Sequence, residues 1–134
     1  MVFQFGTRIA GKINMHVNEV KYFDVIPIDS YGPGFFRVGG KIFKSGIVCS
    51  SSGVSSWSGY KDFNSLKNLE NKIDVLFVGT GHEICQIPED FSKTIEKMGL
   101  NLEIMSTPSA CRTYNVLLSE GRRIAIAALA VDER

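Results

Sequence analysis

Ser106–Arg123, STPSACRTYNVLLSEGRR, is the stretch on which the fold turns. It reads as a helix with both ends marked. Thr107 is placed as the N-cap, since its hydroxyl can accept a backbone N–H that the first turn leaves unpaired. Pro108 follows at the first helical position, where a missing N–H costs nothing and the fixed φ suits a helix. Gly121 tolerates the left-handed stop, and Arg122 and Arg123 favour the negative end of the helix dipole. Between these ends Ala110, Tyr114, Leu117 and Leu118 form one apolar stripe with Cys111 beside it, while Arg112, Asn115 and Ser119 lie on the other side. Thr113, Tyr114 and Asn115 are poor helix formers, which points to side-chain hydrogen bonds with neighbouring segments. An amphipathic helix laid on an apolar surface is expected.

Outward from this helix, the chain on both sides reads as strand. Arg123–Val131 is a strong apolar strand, and Leu100–Met105 is another. Residues 88–98, PEDFSKTIEKM, open with Pro and two acids, carry Phe91, Ile95 and Met98 at helical spacing, and stop at Gly99. Ile73–Val78 is an almost continuous apolar run ending in Gly79-Thr80-Gly81-His82, the pattern of a buried parallel strand and a glycine turn. This order, β-α-β-α-β with short links, predicts a parallel sheet with right-handed crossovers.

The first third reads differently. Residues 19–28 hold enough Val, Tyr, Phe and Ile for an edge strand, with Pro27 limiting central pairing. Asp29–Gly34, DSYGPG, is a dense turn signal. Phe35–Val38, Lys41–Phe43 and Gly46–Ser50 are short β segments, and Gly39-Gly40 is a two-residue hairpin signal. The spacing predicts an antiparallel meander. Ser51–Gly59 reads as a polar loop in which Trp57, the single tryptophan, plugs a core edge. Residues 62–71 read as helix, with Phe63, Leu66 and Leu69 on one side. With no repeat or linker, residues 1–134 are expected to form a single α/β domain: a β-meander layered on a β-α-β-α-β half.

The totals exclude several classes. A 134-residue chain with 44% hydrophobic and 22% charged residues has an ordinary globular composition. Its formal net charge of +1 supplies no field for gathering nucleic acid. The longest apolar run, Ile124–Val131, is eight residues, against the ~20 needed to span a bilayer. No transmembrane segment is expected, peripheral membrane association and homo-oligomer formation stay open, and the N-terminus carries no visible secretory signal. Cys49, Cys85 and Cys111 show no metal-ligand spacing and read as reduced thiols, so no metal and no cofactor are expected.

The topology brings Gly79, Thr80, Gly81 and His82 to the same sheet edge as Thr107, Cys111, Arg112, Thr113 and Asn115, at the carboxyl ends of parallel strands where ligands collect. A glycine turn beside a helix N-terminus suits a small anion, and these nine residues form the candidate ligand-binding set. The same features also serve simply to make a turn and end a helix. The third glycine of GxGxxG is missing, which argues against a dinucleotide. Cys111 in the first turn beside Arg112 has two features that favour a thiolate, and His82 is its conceivable base. Cys111 also flanks the apolar stripe, where a thiol merely packs. No complete catalytic constellation is visible, so no catalytic residue is assigned.

These residues carry a resemblance. Gly79-Thr80-Gly81, Thr107 with Ala110-Cys111, Thr113-Tyr114-Asn115, and Glu120-Gly121-Arg122 resemble the signature of the Mth-like domain family, also called adipogenesis-associated Mth-domain proteins. Tyr31-Gly32-Pro33-Gly34-Phe35 and Trp57 fall where that family has them, and the likeness covers residues 19–131. The loop after residues 46–50, SSSGV, departs from the family in lacking a proline. The resemblance implies a β-meander layered with an α/β half. It also implies a non-enzymatic accessory protein acting by protein–protein contact, since the best understood branch is a mitochondrial assembly factor for respiratory complex I. The implied partners are respiratory-complex subunits or other assembly factors, and the implied location is bacterial cytoplasm or, in a eukaryote, the mitochondrion.

Overall fold

Two sheets share one helix. The computed structural model describes residues 3–4 and 27–131. The first sheet is an antiparallel meander of β1 (Phe3–Gln4), β2 (Ile28–Gly32), β3 (Phe35–Val38) and β4 (Lys41–Lys44), in that order. The second is mixed, with β5 (Gly46–Ser50), β6 (Gly53–Ser56), β7 (Val75–Gly79), β8 (Asn101–Met105) and β9 (Ile124–Leu129) in the order β6-β5-β9-β7-β8. β7 runs parallel to both β8 and β9, whereas β5 meets β9 antiparallel. Helices α1 (Glu89–Lys97) and α2 (Thr107–Ser119) make the crossovers, and a short 3-10 helix spans Asn64–Leu69.

Period-two alternation splits the mixed sheet's side chains between two cores. Phe77, Ile126, Ala128, Ile47 and Cys49 face Ala110, Cys111, Tyr114 and Leu118 of α2, together with Ile28, Tyr31, Phe36 and Val38 of the meander. Leu76, Val78, Ala125, Ala127 and Val48 face the other way, onto Trp57, Leu66, Leu69, Phe91 and Ile95. Trp57 is fully buried there, edge-on to Tyr60 at 5.6 Å, and its indole N–H donates to the Asp62 carbonyl. It plugs a core edge, as its isolation in the sequence suggests.

The meander, the α/β half and both crossover helices follow the expected layout, with four corrections. Ile28–Gly32 is strand, so the turn signal DSYGPG contracts to Pro33-Gly34; burial of Ile28 and Tyr31 outweighs the turn preference of Asp29, Ser30 and Gly32. The proposed strand 19–28 otherwise lies outside the described residues. Gly46–Ser50 belongs to the mixed sheet, not to the meander. Between the two sheets Ser45 adopts φ 77°, its N–H reaching the Gly34 carbonyl and its own carbonyl accepting from Ala130. Residues 53–56 form a strand inside the expected polar loop, because β5 offers them a hairpin partner. The expected helix over 62–71 is a 3-10 turn set that still buries Leu66 and Leu69.

Candidate functional site

The start of α2 meets the end of β7 as the topology requires, and Thr107 is the point of closest contact. Ser106, not Thr107, is the N-cap: its hydroxyl accepts from the Ser109 N–H at 3.4 Å. Thr107 is completely buried and turns its hydroxyl the other way. Its Oγ1 donates to the Leu129 carbonyl at 2.6 Å and accepts from the Gly81 N–H at 2.9 Å. The Thr107 N–H donates in turn to the Gly81 carbonyl at 2.7 Å. One residue therefore ties α2 to the end of β9 and to the turn after β7.

That contact explains the first glycine. A Cβ on Gly79 would lie 2.8 Å from Thr107 Oγ1 and 2.9 Å from its Cα, too close for any side chain. Thr80 organises the remainder of the turn: its hydroxyl donates to the Glu83 carbonyl at 2.8 Å and accepts from the Cys85 N–H at 3.0 Å. His82, Glu83, Ile84 and Cys85 stand exposed beyond it.

The donors of the first helical turn can be accounted for one by one. Thr107 N–H goes to Gly81, Pro108 has none, Ser109 N–H goes to Ser106 Oγ, and Ala110 N–H goes to the Ser106 carbonyl. The geometry that would make this helix end an anion cradle instead satisfies it internally.

Cys111 faces the core and is fully buried. Burial pushes its thiol well above the ordinary range and the nearby Cys49 adds to this, while Arg112 opposes it only weakly. Of the two readings of Cys111, a packed thiol fits its burial, and the thiolate that helix position and Arg112 would favour does not, because desolvation in an apolar core outweighs one exposed cation. Cys49 accepts a hydrogen bond from the Tyr114 hydroxyl at 3.3 Å, yet burial still pushes it up to about 12. None of the three cysteines forms a disulfide; Cys49 and Cys111 are buried and Cys85 is exposed. His82 is exposed, whereas Cys111 is fully buried.

Of the other candidates, Arg112 is exposed and donates to the Ser109 hydroxyl at 3.3 Å, and Thr113 is half-buried. Asn115 reads the backbone of β2: its Oδ1 accepts from Ile28 N–H at 2.9 Å and its Nδ2 donates to the Ile28 carbonyl at 3.0 Å. The weak helix formers of α2 therefore do bond to neighbouring segments, Tyr114 to β5 and Asn115 to the meander. Arg123 pairs with Asp74 at 3.7 Å, on the surface. Sequence reasoning missed Ser106 and the Leu129 carbonyl; a Ser two residues before the helix-starting Pro108 was an available cap signal, whereas a carbonyl 22 residues away leaves none. Among the described residues, no group of three or more His, Cys, Asp or Glu could hold a metal ion, and no helix is long and apolar enough to cross a membrane.

Comparison with known proteins places this arrangement. The solution structure of a Bordetella pertussis protein, a Mth938-like domain, matches with a TM-score of 0.69 at 24% identity, covering 82% of this chain and 89% of that one. An outer membrane protein from Bartonella henselae matches with a TM-score of 0.72 at 33% identity, over 81% of this chain and 97% of that one. The fold is that of the Mth-like α/β domains, as the sequence resemblance implies. The chain belongs to the family described as protein of unknown function DUF498/DUF598, whose model matches residues 28–129.

Two curated relatives extend the comparison. An uncharacterized protein of Rhodobacter capsulatus is 40% identical over 115 residues, covering 86% of this chain and 93% of that protein. NADH dehydrogenase (ubiquinone) 1 alpha subcomplex assembly factor 3 of Bos taurus is 32% identical over 103 residues, which is 71% of this chain. The chain spans 55% of the length of that assembly factor.

Proposed function

We propose that this protein is a non-enzymatic accessory protein that works by protein–protein contact in the assembly of respiratory complex I, in the cytoplasm of a bacterium or in the mitochondrion of a eukaryote. The observation that carries the reading is its 32% identity over 103 residues to a protein named as an NADH dehydrogenase assembly factor. The bonding at the sheet edge supports it. Thr80, Thr107 and Asn115 are engaged in joining elements of the fold, and the thiol of Cys111 is sealed in the core. What remains to act on other molecules is surface.

The test is deletion of the gene in the host that encodes it. Native electrophoresis of the membranes is expected to show loss of assembled complex I with build-up of subcomplexes, and NADH:ubiquinone activity should fall and return with the full chain. A deletant with a normal level of assembled complex would overturn the reading.

A further inference from the structure

The outer face of the meander carries a pattern that the sheet-edge contacts leave untouched. Gly39 and Gly40, at φ 59° and 81°, make the tight turn between β3 and β4. The register then sets Arg37 opposite Ile42 and Phe35 opposite Lys44. Alternation places these four side chains on one face, while Phe36 and Val38 turn into the core. Together they line a groove of about 360 Å³ beside Pro33 and Gly34. Ile42 is 48% exposed within it. Neither Arg37 nor Lys44 has a carboxylate partner among the described residues, and Asp29, the acid of β2, accepts from the Gly40 N–H instead.

Among the described residues β4 is also the outermost strand of its sheet. In a two-residue hairpin the flanking residues Val38 and Lys41 form a hydrogen-bonded pair, and such pairs alternate along the ladder. The N–H and C=O groups of Ile42 and Lys44 therefore point to the open edge. The residues that offer free backbone are the ones that line the groove.

We propose that β4 accepts an added strand: an extended acidic segment of a partner protein, with carboxylates on Arg37 and Lys44 and an apolar side chain against Phe35 and Ile42. This deepens the accessory reading and rests on it for the occupant being a protein. Charge selects that occupant. A second copy of the same edge would bring Lys41 and Lys44 against like charges, the device by which natural edges avoid self-pairing. An acidic strand meets both cations, and Arg37 offers a planar fork that fits a carboxylate. Ladder bonds supply affinity, and the alternating groove supplies selectivity, as in other strand additions.

The experiment places the photo-crosslinking residue p-benzoylphenylalanine at position 42 of the full chain in host cells, with the adduct sequenced by mass spectrometry. The expected adduct joins position 42 to one segment of one protein, rich in Asp and Glu. An adduct to this chain's own residues, to lipid or to a segment with no acidic excess would overturn the proposal, as would the absence of any adduct. Arg37→Glu with Lys44→Glu, both at exposed positions, should cut the adduct yield about tenfold with the melting temperature unchanged. An undiminished yield would remove the charge argument. Loss of complex I in the deletant without an acidic adduct sinks this surface alone. An acidic adduct in a host whose complex I assembles normally sinks only the assembly reading.

Discussion

Two polar regions of this molecule treat their polar atoms in opposite ways. At the carboxyl edge of the mixed sheet, Thr107 is completely buried and both bonding directions of its hydroxyl are used, toward Leu129 and from Gly81. On the outer face of the meander, Arg37 and Lys44 stand in water beside Phe35 and Ile42 with no acid among the described residues to meet them. The difference follows from desolvation. A buried hydroxyl must find partners within the chain or cost its full transfer penalty, whereas an exposed cation is held by water until a ligand displaces it. The region richest in motif thus bonds its buried polar atoms within the fold, and the region with no motif leaves its cations in water.

Thiol chemistry gives the widest contrast. On the folded protein, alkylation at neutral pH should be confined to Cys85, with Cys49 and Cys111 slower by about a thousandfold because they react only through opening of the core. Mass-spectrometric mapping of labelled peptides checks this, and comparable labelling of Cys111 would return it to a functional role. Thr107→Val should be next. It keeps the shape but strands the Gly81 N–H and the Leu129 carbonyl, costing about 2–4 kcal/mol in a denaturant titration. A loss under ~0.5 kcal/mol would show that the clamp is dispensable.

Alkaline pH probes the same interior. Cys49 and Cys111 are pushed up by burial, so above about pH 8.5 the unfolded chain releases protons that the folded one keeps. Stability is therefore full below the unfolded value and falls as pH rises towards 12, by about 1.4 kcal/mol per pH unit for each thiol. Thermal melts between pH 7 and 11 read the slope, and Cys49→Ala should flatten it. Asn115→Ala should cost about 1–2 kcal/mol by releasing both backbone bonds to Ile28, loosening the meander from α2. Arg37→Glu with Lys44→Glu should leave stability within about 0.5 kcal/mol, since both cations lie outside the core. A large loss there would erase the contrast between the two regions.

Periodicity in the sequence was enough for the crossover helices, the strands of the second half and the β3–β4 hairpin. The 3.6-residue stripe of Ala110, Tyr114 and Leu118, the apolar runs at 73–78 and 123–131, and the Gly39-Gly40 turn are local signals, because each is written in neighbouring residues. The short spacing of the second half also placed Gly79–Gly81 beside Thr107. What lay outside local reading were the choices made by partners distant in sequence. Ser30 and Gly32 become strand because β1 and β3 flank them, and Gly46–Ser50 leaves the meander because β9 lies beside it. Thr107 turns from capping its own helix to bonding a carbonyl 22 residues away, and the choice between a packed and a reactive Cys111 falls to burial beside Cys49, 62 positions earlier. The row Phe35, Arg37, Ile42 and Lys44 could have been read from the hairpin turn, yet only the tertiary fold decided that no other described element packs on its outer side. Propensity and pattern act over a few residues, while burial, desolvation and edge exposure belong to the assembled sheets.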